Sequence, residues 1–334
     1  FWPGGDRDGN PFVTPEITLQ VADRLKQTIV KNYYKDVREL KRRLTFKGVE
    51  EKINAIQDKL YLVIFEKDKD YNFSSQNLIN DLLKIKQLIV KEHQSLYLNL
   101  VDSLINKVKL FGSHFATMDI RQDSRVHNNV FNEIVKSSIK NKLGPFPNNY
   151  FELIETEQIQ ILSKVKGSID LSNFSDKLVL NTLNTIKAIK KIQNSNGEKA
   201  ANRYIISNNK TALNVMQLYA MLKLVAFDEV LTIDICPLFE TIEDLENASD
   251  VMKTLYTNPT YLAHLRSRRL KQNIMLGFSD GTKDGGYLMA NWAIYKAKQM
   301  LTSISRKYKV DVIFFDGRGG PPARGGGKTH KFYA

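Results

Sequence analysis

Apolar positions recur about every four residues through the first part of the chain, and this spacing predicts helices. The stretch "TPEITLQVADRLKQTIVKNYYKDVRELKRRL" starts with Thr14 placed to cap and Pro15 at the first helical position. Ile17, Val21, Leu25 and Val30 then fall on one face. A second run, "SSQNLINDLLKIKQLIVKEHQSLYLNLVDSLINKVKLFG", repeats the pattern and reads as continuous helix to Gly112. Residues 141–175 are less regular, with "GPFPNN" a plain loop.

Beyond about residue 200 the pattern changes. Short apolar, β-branched runs alternate with helical stretches: "RYIIS" (203–207), "LTIDICP" (231–237), "NIMLGF" (273–278) and "DVIFFD" (311–316). "FATMDIRQ" (115–122) is an earlier strand candidate, and "TALNVMQLYAMLKLV" and "GGYLMANWAIYKAKQMLTSISRKY" are helices between strands. Strands separated by helices imply parallel pairing through crossovers. Continuous apolar runs imply burial on both faces. The expectation is a helix-rich α/β chain.

The strand ends carry the candidate chemistry. Arg121 closes one strand, Glu240 follows another, Asp280 and Lys283 follow a third, and Asp316 and Arg318 follow the last. Parallel α/β folds gather such ends at one mouth. Two carboxylates on different strands suit a hard divalent cation, magnesium or manganese, with positions left open for substrate. Arginine forks suit phosphate or carboxylate. Glu240 and Asp280 are therefore candidate metal ligands, and Arg121 and Arg318 candidate anion ligands, for metal-assisted chemistry on a small phosphorylated or carboxylated molecule.

Two motifs fail. "RGGGKT" lacks the first P-loop glycine, since Pro322 stands there. "DRDGNP" opens like a calcium loop, but Pro11 and Ile17 occupy its sixth and twelfth positions.

Composition narrows the classes. The 334 residues are 42% hydrophobic, enough for a sizeable core. No apolar run reaches the roughly 18 residues of a membrane span, and no signal peptide opens the chain. Cys236, the single cysteine, excludes an internal disulfide and fits a cytoplasmic setting. A net charge of +13 admits nucleic acid, acidic membranes or small anions as partners. The charge is spread along the chain, and its densest runs, "ELKRRLTFK" and "HLRSRRLK", read as solvated helix faces or ends. That weighs against nucleic acid but leaves a basic nucleic-acid-binding protein as an alternative.

Taken in order, "GGDRDGNPFVT", "DIRQDS", "PLFETIEDLENA", "GFSDGTKDGG" with "ANWAIYKA", and "GRGG…RGG" resemble phosphoenolpyruvate carboxylase over nearly the whole chain. The match is weaker around residues 40–100 and 140–200. The resemblance implies part of an eight-stranded (β/α)8-type barrel with many extra helices, in a cytoplasmic enzyme that is usually a homotetramer. Residues 1–112 would form a helical region with the GGDRDGNP loop, and 113–334 the barrel region of one catalytic domain. The implied reaction joins phosphoenolpyruvate and bicarbonate, with magnesium or manganese, to give oxaloacetate and phosphate through carboxyphosphate and an enolate.

The resemblance also implies roles residue by residue. Glu240 and Asp280 match metal ligands, and Arg121 and Arg318 match phosphate ligands. Arg324 matches a catalytic arginine that also contacts an aspartate or malate inhibitor in some members. Leu238 and Met275 match an apolar wall around carbon dioxide. Trp2 matches a tryptophan near bicarbonate, and Lys283 a lysine beside the metal. Asp316 stands where members commonly carry the histidine that precedes "GRGG", and it is a candidate for that histidine's proton handling. The loop reads "GRGGPPARGG" in place of "GRGGSIGRGG". The family's upstream catalytic-histidine motif and its downstream segments are missing. Together with the opening Phe1, this leads to the expectation of a truncated core that does not turn over alone, with an inactive metal- and anion-binding fragment as the alternative.

Overall fold

A computed structural model describes residues 1–66, 73–142, 144–227 and 230–318. These residues form two compact units. The first comprises Phe1, Glu16–Met118 and Lys191–Ala201. It is helical, with α1 (Pro15–Arg43), α2 (Glu50–Phe65), α3 (Ser75–Glu92) and α4 (Leu98–Phe111). Tyr33, Val37, Leu44, Ile53, Leu60, Leu82, Ile85, Ile89, Val101 and Leu104 share one core. The helix predicted to run unbroken from Ser74 is interrupted between α3 and α4, where Gln94, Ser95 and Tyr97 adopt positive φ. A straight helix would carry Val101, Leu104 and Val108 away from Leu82, Ile85 and Ile89, and the turn keeps both sets in the cluster.

The second unit contains Trp2–Pro15, Asp119–Lys190 and the described residues from Asn202 on. Its strands are β1 (Asp119–Asp123), β2 (Arg203–Ser207), β3 (Asp234–Phe239), β4 (Lys271–Gly277) and β5 (Asp311–Gly317). They form one five-stranded sheet in the order β1-β2-β3-β4-β5, every neighbouring pair parallel. Between them lie α5 (Ser124–Lys140), α6 (Glu155–Leu162), α7 (Lys177–Asn196), α8 (Ala212–Val225), α9 (Ile242–Thr257), α10 (Pro259–Ser267) and α11 (Ser279–Lys307). Each strand pairs with the next in the chain, so the order never reverses as it does in a doubly wound sheet. The expected α/β, helix-rich architecture is present. Among the described residues the sheet is open and does not close into a barrel.

Strands β2 to β4 are buried almost throughout, as their apolar runs predict; β1 is buried too although four of its five residues are polar, and β5 is only half-buried. It is the last described strand, and no described strand covers its outer edge. On one sheet face Ile205, Cys236, Leu238 and Met275 pack together, with Trp2 and Phe315 against them. Below this layer, the first residues of three strands are ionic. Arg203 Nη1 donates to Asp119 Oδ1 at 3.0 Å, and Arg268 Nε to Asp234 Oδ1 at 2.6 Å. Arg268 was expected on a solvated helix end, but its side chain is 12% exposed.

Three strands turn into helices almost without a loop, and capping residues make the turns. Asp123 accepts from Arg125 N, Thr211 from Leu213 N, and Thr241 from Asp244 N. Asp244 Oδ2 in turn accepts from Thr241 N at 3.1 Å, a reciprocal box that sets the backbone just after Glu240. Thr241→Ala should cost about 1 kcal/mol of stability in urea unfolding. A loss that persists unchanged in the Asp244→Ala background would count against the box.

Two buried histidines make this unit sensitive to acid. Burial pushes His127 and His264 down to about 3. Their unfolded forms titrate near 6.5. The stability they contribute is complete above that value and is lost progressively as the pH falls toward about 3. Urea unfolding should therefore show decreasing stability from pH 7.5 to 5.5, with a smaller slope in His264→Gln. Because Glu240, raised to about 7, opposes this slope, the comparison with the variant decides: an equal slope in His264→Gln would show that this imidazole titrates normally.

Candidate active site

The N-terminal loop runs along the free edge of β1. Arg7 N donates to Arg121 O at 2.9 Å and Arg121 N to Gly5 O at 3.0 Å, so Asp6 bridges Arg121 in parallel. The Arg121 guanidinium grips Asp6 with two bonds, Nε to Oδ1 at 2.8 Å and Nη2 to Oδ2 at 3.0 Å. Asp8 Oδ2 lies 3.5 Å from Nη2. The guanidinium carbon sits 4.6 Å from the centroid of the Trp2 ring. Trp2 also meets Phe315 edge-on at 6.2 Å and lies on the layer that contains Leu238 and Met275. Those two residues are register partners of β3 and β4.

Glu240 follows β3. Its Oε2 accepts from Asn208 N at 2.9 Å, which ties it to the end of β2. Gly277 makes room for it, since a Cβ there would stand 3.1 Å from Glu240 Cα and Cγ. Burial pushes the Glu240 carboxyl up to about 7, and the carboxylates of Asp280 and Asp8 add to this against the Asn208 N–H and Arg121. Asp280 lies in the first turn of α11, where Lys283 Nζ donates to its Oδ1 at 2.7 Å. The "SDGTKD" segment, which precedes the helix predicted from Gly285, is thus helical as well. The helical run bends at Gly286, whose φ of 78° favours glycine. Asp284 Oδ2 accepts from Ile242 N at 3.2 Å and so joins α11 to the start of α9.

The structure therefore brings Trp2, Arg121, Leu238, Met275, Glu240, Asp280 and Lys283 to one end of the sheet. Arg318 follows β5 with its guanidinium carbon 4.8 Å from the Phe278 ring centroid, and no carboxylate pairs with it among the described residues. Asp316 takes another direction. Its carboxylate bonds Lys298 Nζ of α11 at 2.7 and 2.9 Å. Its neighbour Phe315 turns to the interior layer, so alternation along the strand puts Asp316 on the helix side. Arg324 lies outside the described residues. Among those described, no group of three or more His, Cys, Asp and Glu is arranged to hold a metal. No described helix is long and apolar enough to cross a membrane.

In the sequence, Asp6 and Asp8 stood out as a failed calcium loop and as part of the "GGDRDGNPFVT" motif, with no role of their own; the structure sets both against Arg121, and the charge of Asp8 also acts on Glu240. The signal available was the unbroken "GGDRDGNP" itself.

The model of the family described as phosphoenolpyruvate carboxylase matches residues 1–69 and 49–332. The chain belongs to the phosphoenolpyruvate carboxylase family. It is 31% identical over 381 residues to the phosphoenolpyruvate carboxylase of Nitrosomonas eutropha, covering 99% of this chain and 40% of that protein. With the phosphoenolpyruvate carboxylase of Nitrosomonas europaea it shares 30% over 379 residues, again 99% and 40%. The chain thus spans about 40% of the length of these phosphoenolpyruvate carboxylases.

Proposed function

We propose that this chain carries the metal site and much of the phosphoryl site of a phosphoenolpyruvate carboxylase, which joins phosphoenolpyruvate and bicarbonate to give oxaloacetate and phosphate. The observation that carries the reading is that Glu240, at one end of the sheet, lies within the electrostatic reach of both Asp280 and Arg121. Glu240 is a half-buried acid whose partial burial and acidic neighbours resist its ionisation. An ion between the two carboxylates would remove that resistance, and all-oxygen donors suit magnesium or manganese. Such a cation would take its remaining coordination from water and substrate. It would supply charge to the oxygen that becomes negative as the phosphoryl group departs.

The remaining roles fall to the chain's own side chains. Arg121 and Arg318 donate hydrogen bonds to phosphoryl oxygens and offset the charge that builds there. Leu238 and Met275 form an apolar wall that keeps water from released carbon dioxide, and Trp2, packed against them, stands near the bicarbonate site. Lys283 orients Asp280. Arg324 retains the role implied by resemblance, in catalysis and in binding an aspartate or malate inhibitor. A proton-handling role for Asp316 requires it to leave Lys298. The singly wound parallel order supports reading the sheet as five strands of the family's eight-stranded barrel, and a homotetramer of the longer protein belongs to the same reading.

The test is bicarbonate-dependent formation of oxaloacetate from phosphoenolpyruvate and manganese by this chain. Product that disappears in Asp280→Asn would establish catalysis by this chain alone. Manganese-dependent binding of phosphoenolpyruvate without product would support the site and place turnover in a longer assembly. Failure of both would overturn the reading.

A further inference from the structure

We propose that Asp6 is the positioning residue for Arg121. Its carboxylate fixes the orientation of the guanidinium, and the N–H groups that remain are the donors a phosphoryl group meets. The proposal rests on the phosphoryl role of Arg121 and adds what holds that arginine in place.

The clamp is built from the backbone outward. Two main-chain bonds at 2.9 and 3.0 Å place Asp6 beside Arg121 before either side chain contributes. Both carboxylate oxygens are then used, at 2.8 and 3.0 Å, in the two-bond geometry that fixes a guanidinium plane. Asp6 Oδ1 also accepts from Asp8 N at 3.2 Å, which steadies the carboxylate itself. The Trp2 ring supports one face of the plane, and the Arg121 side chain is only 18% exposed. An arginine has five N–H donors. The fork occupies Nε and one position on Nη2, and Asp8 faces Nη2 at 3.5 Å, which leaves the Nη1 pair.

Electrostatics alone argues against this arrangement. A carboxylate bonded to an anion-binding arginine cancels its charge and repels the incoming phosphate. Asp6 therefore earns its place by geometry, and the sign of a single substitution separates the two effects. Asp6→Asn removes a negative charge but presents an NH2 group to Nη2, so the fork cannot close. If charge ruled, phosphoenolpyruvate would bind more tightly. If position rules, its affinity should fall by about tenfold, the scale on which an orienting partner acts on the ligand group it holds.

The experiment is calorimetric titration of the chain with phosphoenolpyruvate at fixed manganese concentration and ionic strength, with thermal melting as a check on folding. Asp8→Asn makes the same charge change without breaking the fork and should tighten binding. Asp6→Glu keeps two oxygens on a longer arm and should bind more weakly than wild type but better than Asp6→Asn. Unchanged or tighter binding by Asp6→Asn would overturn the proposal. If that variant does not fold, wild-type affinity in Asp6→Glu would overturn it instead. Arg121→Ala is run in parallel. Should it bind phosphoenolpyruvate as the wild type does, or should the wild type not bind at all, the phosphoryl reading itself fails and this proposal with it. Weak binding by Arg121→Ala beside normal binding by Asp6→Asn would remove only the positioning role.

Discussion

Glu240→Gln and Asp280→Asn are each expected to lower the affinity of the chain for manganese by about 100-fold or more. Loss of a partner that merely orients a ligand already costs about 10–100-fold, and these residues would be the ligands themselves. Glu240 is the more informative site. Its Oε2 accepts a hydrogen bond from Asn208 N, and an amide oxygen in the same place can accept it too. Because burial disfavours the ionised form of Glu240, a neutral isostere should leave thermal stability without metal unchanged or slightly raised. Lost manganese binding with an intact melt therefore points to a missing ligand and not to unfolding. Titration by manganese electron paramagnetic resonance reads the affinity directly. Wild-type affinity in either variant would show that the cation is held elsewhere.

Arg268→Met should lower the stability of the sheet-containing unit by about 3 kcal/mol, because it strands the carboxylate of Asp234. The ion pair is short, at 2.6 Å, and its side chains are 12% and 22% exposed. Asn273 Nδ2 reaches the other carboxylate oxygen only at 3.5 Å and cannot replace the arginine. Surface pairs contribute about 0–1 kcal/mol, so the size of the loss separates a buried pair from an exposed one. Neutralising both partners, Asp234→Asn with Arg268→Met, should recover most of the loss, since no charge is then left buried. Urea unfolding measures both variants. A loss below about 1 kcal/mol would place the pair among the solvated ones.

Several elements were legible because their cause is local. Pro15 and the apolar spacing after it predict α1 nearly to the residue, and "RYIIS" is β2 without adjustment. "TALNVMQLYAMLKLV" becomes α8 with Thr211 as its cap. Other features had no local cause. The residues around His93 contain neither Gly nor Pro. The break between α3 and α4 arises because apolar side chains on both sides belong to one core, and it could not be read from the sequence. The strand pattern of "DVIFFD" implied burial on both faces, but the half-burial of β5 depends on which strands lie beside it.

The same division runs through the site. The sequence by itself determined which residues stand at strand ends: Arg121, Glu240, Asp280 and Arg318 all lie at or just beyond the C-terminal end of an apolar run. Residue identity supplied their chemistry. Only the tertiary structure decided which of them meet. Asp6 finds Arg121 across 115 residues through two main-chain bonds that no spacing rule predicts. Asp316 and Phe315 are adjacent in sequence and face opposite ways. Pairing of Phe315 with Met275 turned the phenyl ring to the interior layer and left the carboxylate to Lys298. Periodicity fixes that neighbouring side chains on a strand diverge. Which direction is inward is set by the packing of the whole sheet.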